Sequence, residues 1–503
     1  MDSPVLASGA GDLVAGELFL PRPAQNRRGR IWYALASLAL LLPCFWQPRV
    51  QAGDLSSHLY NAWLAGLIEH GRLPGLAIAR QTTNVLFDLI LSASLRWFGP
   101  EWAQRVSVSL AVLVFVWGAF AFVSAISRRP AWPWFPCLAM LAYGWVFHMG
   151  FFNFYLSFGF CFWALAALSR KSWLRLFAAL ALFTLAYLAH ALPVAWSFGL
   201  IAYSAVGRTR LGRRRAVLLS IGLAALVIAR LAITRLLLYR WSVTQLFSVI
   251  GADQIFVFDT KYALLAVALL FVWFVALNDL LRTRGGRRVA RSIPFHWSAL
   301  TATGILVIPG SVVLPDYHHA LAYIAERMSL ALAVCVCAVL GRIFLRPFSR
   351  YGLAAVTLVF FLFLFRDERR FNHFEDRIDR AVADLPAGQR VVAPILDPDL
   401  RANPLAHMID RACLGRCYSY ANYEPSTAEF RVRTLRPNPF ATAEYGDSWK
   451  LQNGDYTFRD RDLPLYVLRV SPSGDITVRP ATAGTASGPS PWPVLSAVPA
   501  LGP

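Results

Sequence analysis

The sequence predicts an α-helical polytopic membrane protein with about eleven transmembrane helices, interfacial helices in the first outer loop, and a small C-terminal extracytoplasmic α/β domain. Three observations carry this. Of 503 residues, 57% are hydrophobic and only 16% charged, too few charges to clothe a soluble surface of that size. Apolar runs recur at lengths suited to helices crossing about 30 Å of hydrocarbon. The net charge of +20 is gathered in short clusters between apolar runs, which reads as topology and not as a nucleic-acid surface.

Taken in order, residues 1–30 are polar and contain Pro and Gly, the composition of a disordered cytoplasmic tail. The apolar run after them is full-length and is expected to be a signal anchor and not a cleaved leader. The spans fall at about 31–50, 103–126, 131–148, 154–169, 173–190, 192–206, 216–234, 262–281, 297–314, 328–345 and 351–365. Basic clusters at 27–30, 128–129, 170–171, 208–215, 282–291 and 342–350 separate every second run. The N-terminus and these clusters therefore belong to the cytoplasm, and after an odd number of spans the chain beyond Phe365 emerges outside. This gives a multi-pass protein of the bacterial inner (plasma) membrane with a membrane domain over 31–365. Residues 366–480, with strand-like runs at 390–393 and 466–470, form the outer soluble domain, and 481–503, rich in Pro, Gly, Ser and Ala, a disordered tail.

The first outer loop, 51–102, is too amphipathic to span and too apolar for an ordinary loop. Leu59, Trp63, Leu64, Leu67 and Ile68 recur at helical spacing opposite Ser57, Asn61 and Glu69, the pattern of a helix lying in the interface, and a second follows Pro74. Residues 84–97 are read as interfacial too. They are few, carry Asp88 and Arg96, and as a span would invert every later loop against the charge rule.

On this topology Asp54, Glu69, Asp88, Glu101, Asp253, Asp259, Asp316 and Glu326 face outward, as do His58, His70, His148, His190, His318 and His319. An outward polar cavity would gather them; acids avoiding the inner leaflet would give the same distribution. Five of the seven cysteines lie in apolar runs as small core residues. Cys413 and Cys417 sit in the tail, where an oxidising compartment would allow a disulfide; two free thiols are the alternative.

Gly53-Asp54-Leu55-Ser56-Ser57-His58-Leu59-Tyr60-Asn61-Ala62-Trp63 at the end of the first span, then Gly71-Arg72-Leu73-Pro74, resembles the acidic opening of the first outer loop in the GT-C superfamily of membrane glycosyltransferases. That group includes the protein O-mannosyltransferases and aminoarabinose transferases. Leu95-Arg96-Trp97-Phe98-Gly99 and Ala103-Gln104-Arg105-Val106 are similar to the family's Phe-Gly turn and the Arg opening its second span. The architecture resembles the family over most of the chain, the motifs only over the first 130 residues. Where many relatives have a second acid directly after the first, this chain has Leu55, with His58 beyond.

The resemblance implies transfer of a sugar from a polyprenyl-phosphate carrier to a lipid, glycan or protein acceptor at the outer face, with no separate cofactor. Asp54 takes the place of the family's base, and an N-cap of the interfacial helix is its alternative role. His58 stands one turn later, where it can share the site or be an interfacial polar group. Arg80 and Arg105 are candidates for holding phosphate, because guanidinium binds it bidentately; Arg105 also suits snorkelling at a span end. Arg327, at an outer span end where the charge rule disfavours it, is a further phosphate candidate, with Glu326 beside it. Asp88, His190, Asn153 and His318 complete the candidate substrate-binding set, His190 and Asn153 equally able to satisfy backbone at hairpins. The pair His318-His319 lacks zinc-site spacing, and no metal is expected. No Walker A loop, dinucleotide turn, HExxH or nucleophile elbow occurs. A lipid-linked sugar flippase and a non-catalytic assembly protein are the alternatives, the first predicting repeated halves and midplane polar groups.

Overall fold

The computed structural model describes residues 27–488, save 171, 210–213, 316–317, 428 and 472. Of the expected disordered segments, 1–30 and 481–503, residues 1–26 and 489–503 lie outside the described residues; residues 27–30 instead open the first helix, and 481–488 are tied back to the tail, the Phe458 amide donating to the Thr485 carbonyl at 3.0 Å. The chain is mostly helical, 65%, and four helices are long and apolar enough to cross a membrane: Leu86–Ser127, Arg215–Leu236, Thr260–Arg284 and Pro347–Ala383. Such a bundle is compatible with a helical membrane protein, and the exposed rows Phe177, Leu180, Ile228, Leu231, Leu264, Phe271, Leu358 and Leu362 suit lipid better than water.

The helices are α1 (Arg27–Leu41), α2 (Leu55–Glu69), α3 (Leu86–Ser127), α4 (Phe135–Ala142), α5 (Trp145–His148), α6 (Phe152–Leu168), α7 (Trp173–Ala189), α8 (Ala191–Val206) and α9 (Arg215–Leu236). After these come α10 (Gln245–Ser248), α11 (Thr260–Arg284), α12 (Gly286–Ala290), α13 (Ile293–Val307), α14 (Ile324–Leu340) and α15 (Pro347–Ala383), then α16 (Met408–Ala412), α17 (Glu424–Thr427) and α18 (Tyr445–Asn453). Several expected spans are shorter than the bilayer is thick: α6 and α7 have 17 residues and α8 has 16, about 25 Å of helix. The run expected as one helix over 131–148 is broken between α4 and α5 at Tyr143 and Gly144, where an added Cβ on Gly144 would meet the Gln254 carbonyl oxygen at 2.7 Å.

Residues 84–97, expected to be interfacial and apart from the following span, run into it from Leu86 as one element, kinked where Gly99 adopts φ 76° and Pro100 restarts the helix. Proline suits that restart because its missing N–H is one no helical carbonyl would receive. The expected final span does not stop at Phe365. Alternation of inward apolar and acidic positions carries α15 on to Ala383, 37 residues in all.

Beyond α15, strands β4 (Arg390–Val392), β5 (Tyr418–Ser419), β7 (Tyr466–Val470) and β8 (Ile476–Pro480) form a sheet ordered β5-β4-β7-β8, parallel except for β7 and β8. The remaining strands stitch distant parts of the chain. β1 (Leu76–Ile78), which stands where a second interfacial helix is expected after Pro74, pairs antiparallel with β6 (Val432–Thr434) of the tail, and β2 (Leu238–Arg240) with β3 (Ser311–Val313). One apolar cluster runs from Leu55 and Leu59 of α2 through Phe115, Phe152 and Phe360 to Val391, Leu405 and Met408, so the tail and the bundle share a core. A smaller cluster around Leu451, Phe458 and Leu465 lies within the tail.

The α3–α6 crossing depends on absent side chains. A Cβ on Gly118 would lie 2.3 Å from the Gly159 carbonyl oxygen, and one on Gly159 would lie 2.9 Å from the Phe115 Cα. Small residues allow backbones to approach this closely where no hydrophobic effect drives association. Gly159→Val should therefore lower stability by about 1–3 kcal/mol or more, seen as a reduced thermal midpoint in detergent; an unchanged midpoint would refute the crossing.

Candidate functional site

The chain between α1 and α2 is pinned where the expected base sits. The Gly53 and Asp54 amides donate to the His148 and Met149 carbonyls at 2.7 and 3.0 Å. Gly150, at φ +84°, lies so close that a Cβ there would meet the Asp54 nitrogen at 2.4 Å. Asp54 occupies the N-cap position of α2 but has αR dihedrals and makes no side-chain capping bond. Its carboxylate instead lies 3.8 Å from His407 Nε2, a tail residue.

His58, buried one turn on, sets its Nδ1 2.7 Å from Asp88 Oδ1. Asn153 Nδ2 donates to Asp88 Oδ2 at 2.8 Å, while Asn153 Oδ1 accepts from the Phe87 amide at 2.7 Å. Three of the expected residues thus form one chain joining α2, α3 and α6. Burial opposes the charge on His58, but the Asp88 carboxylate, aided by Glu424 and Asp54, raises its pKa to about 9. The imidazole is a cation at neutral pH.

The tail closes over this floor. Asn61 and Asn422 exchange hydrogen bonds at 3.3 and 2.8 Å, and the Ser419 amide donates to the Tyr60 hydroxyl at 3.0 Å. His407 Nδ1 lies 3.0 Å from Asp410 Oδ2, and Asp410 also accepts from the Ser419 hydroxyl. Burial pushes the His407 pKa down, yet Asp410 and Asp54 together raise it. Tyr423 lies between the rings of His407, His319 and Phe430, at 5.6, 5.8 and 5.5 Å between centroids, and His319 Nδ1 lies 2.6 Å from the Tyr445 hydroxyl. Burial lowers the His319 pKa, with Asp54 and Arg327 acting in opposite directions, so His319 feels both charges. Burial holds Glu424 well above the carboxylate range, and Glu429 is pushed up to about 7 by burial against the pull of Arg327.

Arg327 enters from the first turn of α14. Its guanidinium carbon stands 3.7 Å from the centroid of Phe151 and 5.6 Å from that of Phe154. Its enclosed Nε has no hydrogen-bond partner, and among the described residues its side chain forms no ion pair. Cation–π contact supplies part of what desolvation removes, leaving the planar donors free for an anion.

The remaining expected residues stand apart from this cluster or beside it. Arg105 donates to the Gln47 and Pro48 carbonyls and packs on Phe45 and Trp102, a clamp on the loop entrance. Arg80 is exposed, with no side-chain partner among the described residues. His190 caps α8 through the Leu192 amide and packs edge-on against Phe154. Glu326 is buried, accepts from the Thr244 hydroxyl, and has one oxygen without a partner. His318 is exposed and bonds through its amide to Thr427, while its neighbour His319 joins the cluster; Asp316 lies outside the described residues. Cys413 and Cys417 are joined in a disulfide. Among the described residues no group of three or more His, Cys, Asp or Glu is placed to hold a metal ion.

The tail's contribution, His407, Asp410, Tyr423, Glu424 and Glu429, was not singled out from sequence, and no motif marks it. The site as a whole is a cluster of carboxylates and imidazoles with one uncommitted guanidinium, floored by the first loop and roofed by the tail. The chain matches no protein-family model, no curated protein and no solved structure.

Titration and charge removal both test this bonding. His58, His407, Glu424 and Glu429 all hold protons more tightly than in an unfolded chain. The stability each contributes is complete below its ordinary pKa and is lost as pH rises through its raised one. For His58 the window is pH 6.5 to about 9, with up to about 3 kcal/mol at stake. The thermal midpoint in detergent should fall across that window, and Asp88→Asn should flatten the fall; parallel profiles for the two proteins would exclude His58 as its source. Separately, Glu375→Gln should destabilise by about 3–5 kcal/mol because it strands the buried Arg411 guanidinium, which Glu375 meets at 2.6 and 2.9 Å; retention of the wild-type midpoint would count against that pair.

Proposed function

We propose that the protein is a membrane glycosyltransferase that moves a sugar from a polyprenyl-phosphate carrier to a lipid, glycan or protein acceptor at the outer face of the plasma membrane. In this reading about eleven helices cross or fill the bilayer, the N-terminus is cytoplasmic, and the tail is an extracytoplasmic α/β domain. The resemblance of the first 130 residues to GT-C enzymes is one support. The observation that carries the reading is one buried cluster holding two opposite charges: Asp54, whose carboxylate makes no capping bond and lies 3.8 Å from His407 Nε2, and Arg327, which feels the Asp54 charge and among the described residues has no anionic partner.

The chemistry divides between them. Asp54 takes the proton of the acceptor hydroxyl as its oxygen forms a bond to the anomeric carbon. The bond from that carbon to the carrier phosphate breaks, the phosphate oxygen leaves with the electron pair, and Arg327 receives the developing charge. His407, oriented by Asp410, faces Asp54 and offsets its charge between turnovers. The His58–Asp88–Asn153 chain fixes the floor on which Asp54 stands.

The test uses membranes supplied with radiolabelled polyprenyl-phosphate sugars. Asp54→Asn should lower transfer by about 10²–10⁴-fold at unchanged expression, and Arg327→Ala should weaken donor use by about 10–100-fold. Full transfer by Asp54→Asn would sink the assignment. Uptake of labelled lipid-linked sugar into proteoliposomes without any transfer would favour the flippase.

A further inference from the structure

Past the membrane, α15 is sharply two-faced. On a helix of 3.6 residues per turn, Arg366, Arg369, Arg370, His373, Arg377 and Arg380 share one stripe about 100° wide. The principal spacing, 366, 370, 373, 377 and 380, alternates steps of four and three. The acids of the same segment point elsewhere and are committed. Asp367 bonds Lys261 and Tyr262, Glu368 bonds Trp46 and His148, Glu375 bonds Arg411 and Gln51, and Asp376 and Asp379 bond Arg49.

The basic side chains have almost no such partners. Arg377 donates to the Gly474 carbonyl and Arg380 Nε to the Asp376 carbonyl. Among the described residues Arg366, Arg369 and Arg370 have no side-chain hydrogen bond or ion pair, and Arg366, Arg369 and Arg380 are exposed. The acids bordering the stripe are Asp376, held by Arg49, Asp384 at its far end, and Asp475 in the turn that Arg377 reaches. Along the helix, the stripe continues the face on which Leu358 and Leu362 are exposed. It therefore lies on the outer wall of the molecule, away from Asp54.

Its length selects the ligand. From Arg366 to Arg380 is about 21 Å of helix. A phospholipid headgroup at the bilayer surface can reach the first turn, at Arg366, Arg369 and Arg370, but not the last. We propose that the stripe is a docking track for an extended polyanion, an acidic glycan strand bearing a carboxylate or phosphate on each repeat. Charges recurring about every 5 Å along one side match such a strand better than a compact anion. The track is independent of the catalytic reading, because none of its residues touches the Asp54 cluster.

The test measures binding of fluorescent polygalacturonate to the full chain in phosphatidylcholine nanodiscs across a salt series. Dextran serves as the neutral control, and phosphatidylglycerol vesicles form the lipid arm. Polygalacturonate should bind with strong salt dependence, dextran should not, and the triple variant R366Q/R370Q/R380Q should bind at least tenfold more weakly. Its log–log salt slope should be shallower by about 2–3, one unit or less for each arginine neutralised. A control variant, R282Q/R284Q/R287Q, changes the same number of charges at the end of α11 and in α12 and should bind as wild type. No polymer binding, equal weakening in both variants, or binding to the anionic vesicles alone would each overturn the proposal. Sugar transfer measured on the same proteins reports on Asp54 independently.

Discussion

The structure turns on one buried guanidinium. Arg411 of α16 gives two hydrogen bonds to Glu375 of α15, one to the Val50 carbonyl and one to Gln104 of α3, while Gln51 donates to the same carboxylate. Glu375 is fully buried. Two charges removed from water in this way are tolerable only when nearly every donor and acceptor is matched, so the first loop, α3, α15 and the tail must take these relative positions together. Asp410 and His407 lie on the same short stretch as Arg411. The ion pair therefore also sets where His407 stands relative to Asp54.

Much of the helical frame was legible because its information is local. Apolar runs and basic clusters located nearly every long helix, and the spacing of Leu59, Trp63, Leu64 and Leu67 gave α2 as a helix, though its expected polar face, Ser57 and Asn61, is buried under the tail and not left at an interface. What failed to show is what depends on distant partners. The break at Tyr143 and Gly144 sits inside an unbroken apolar run, where periodicity carries no warning, and is made necessary by the Gln254 backbone lying against Gly144. The extension of α15 looked like a change of domain because its composition changed at Arg366, yet helical phase continued through the charged segment.

The site divides in the same way. Asp54, His58, Asp88, Asn153 and Arg327 drew attention as polar residues at the ends of apolar runs, which is where the cost of burying them makes a role worth asking for. Nothing in the sequence said that His58 and Asn153 share Asp88, or that Arg105 of α3 would use its donors on the Gln47 and Pro48 carbonyls after α1. Nor could the tail residues be read. Thr427 and His318 meet across more than a hundred residues, β1 and β6 across more than three hundred and fifty, and Tyr423 reaches the floor only because those pairings hold. A short two-strand contact carries little pattern beyond a few β-formers.

The way the roof is attached bears on the choice between transfer and transport. A carrier working by alternating access must rock one part of the molecule against another around its site. Here the tail is fastened to the first loop by β1–β6 and the Asn61–Asn422 exchange, to α3 and α15 by Arg411, and to the 253–256 turn by Arg401, which bonds the Asp253 carboxylate and the Phe256 carbonyl at 3.0 and 2.8 Å. Hydrogen bonds to charged groups are worth about 1.5–3 kcal/mol each, and opening the roof would break several at once. Such a cost per cycle weighs against a rocking carrier. A fixed roof is what the proposed transfer reaction needs, because Asp54 and Arg327 would then keep their relative positions.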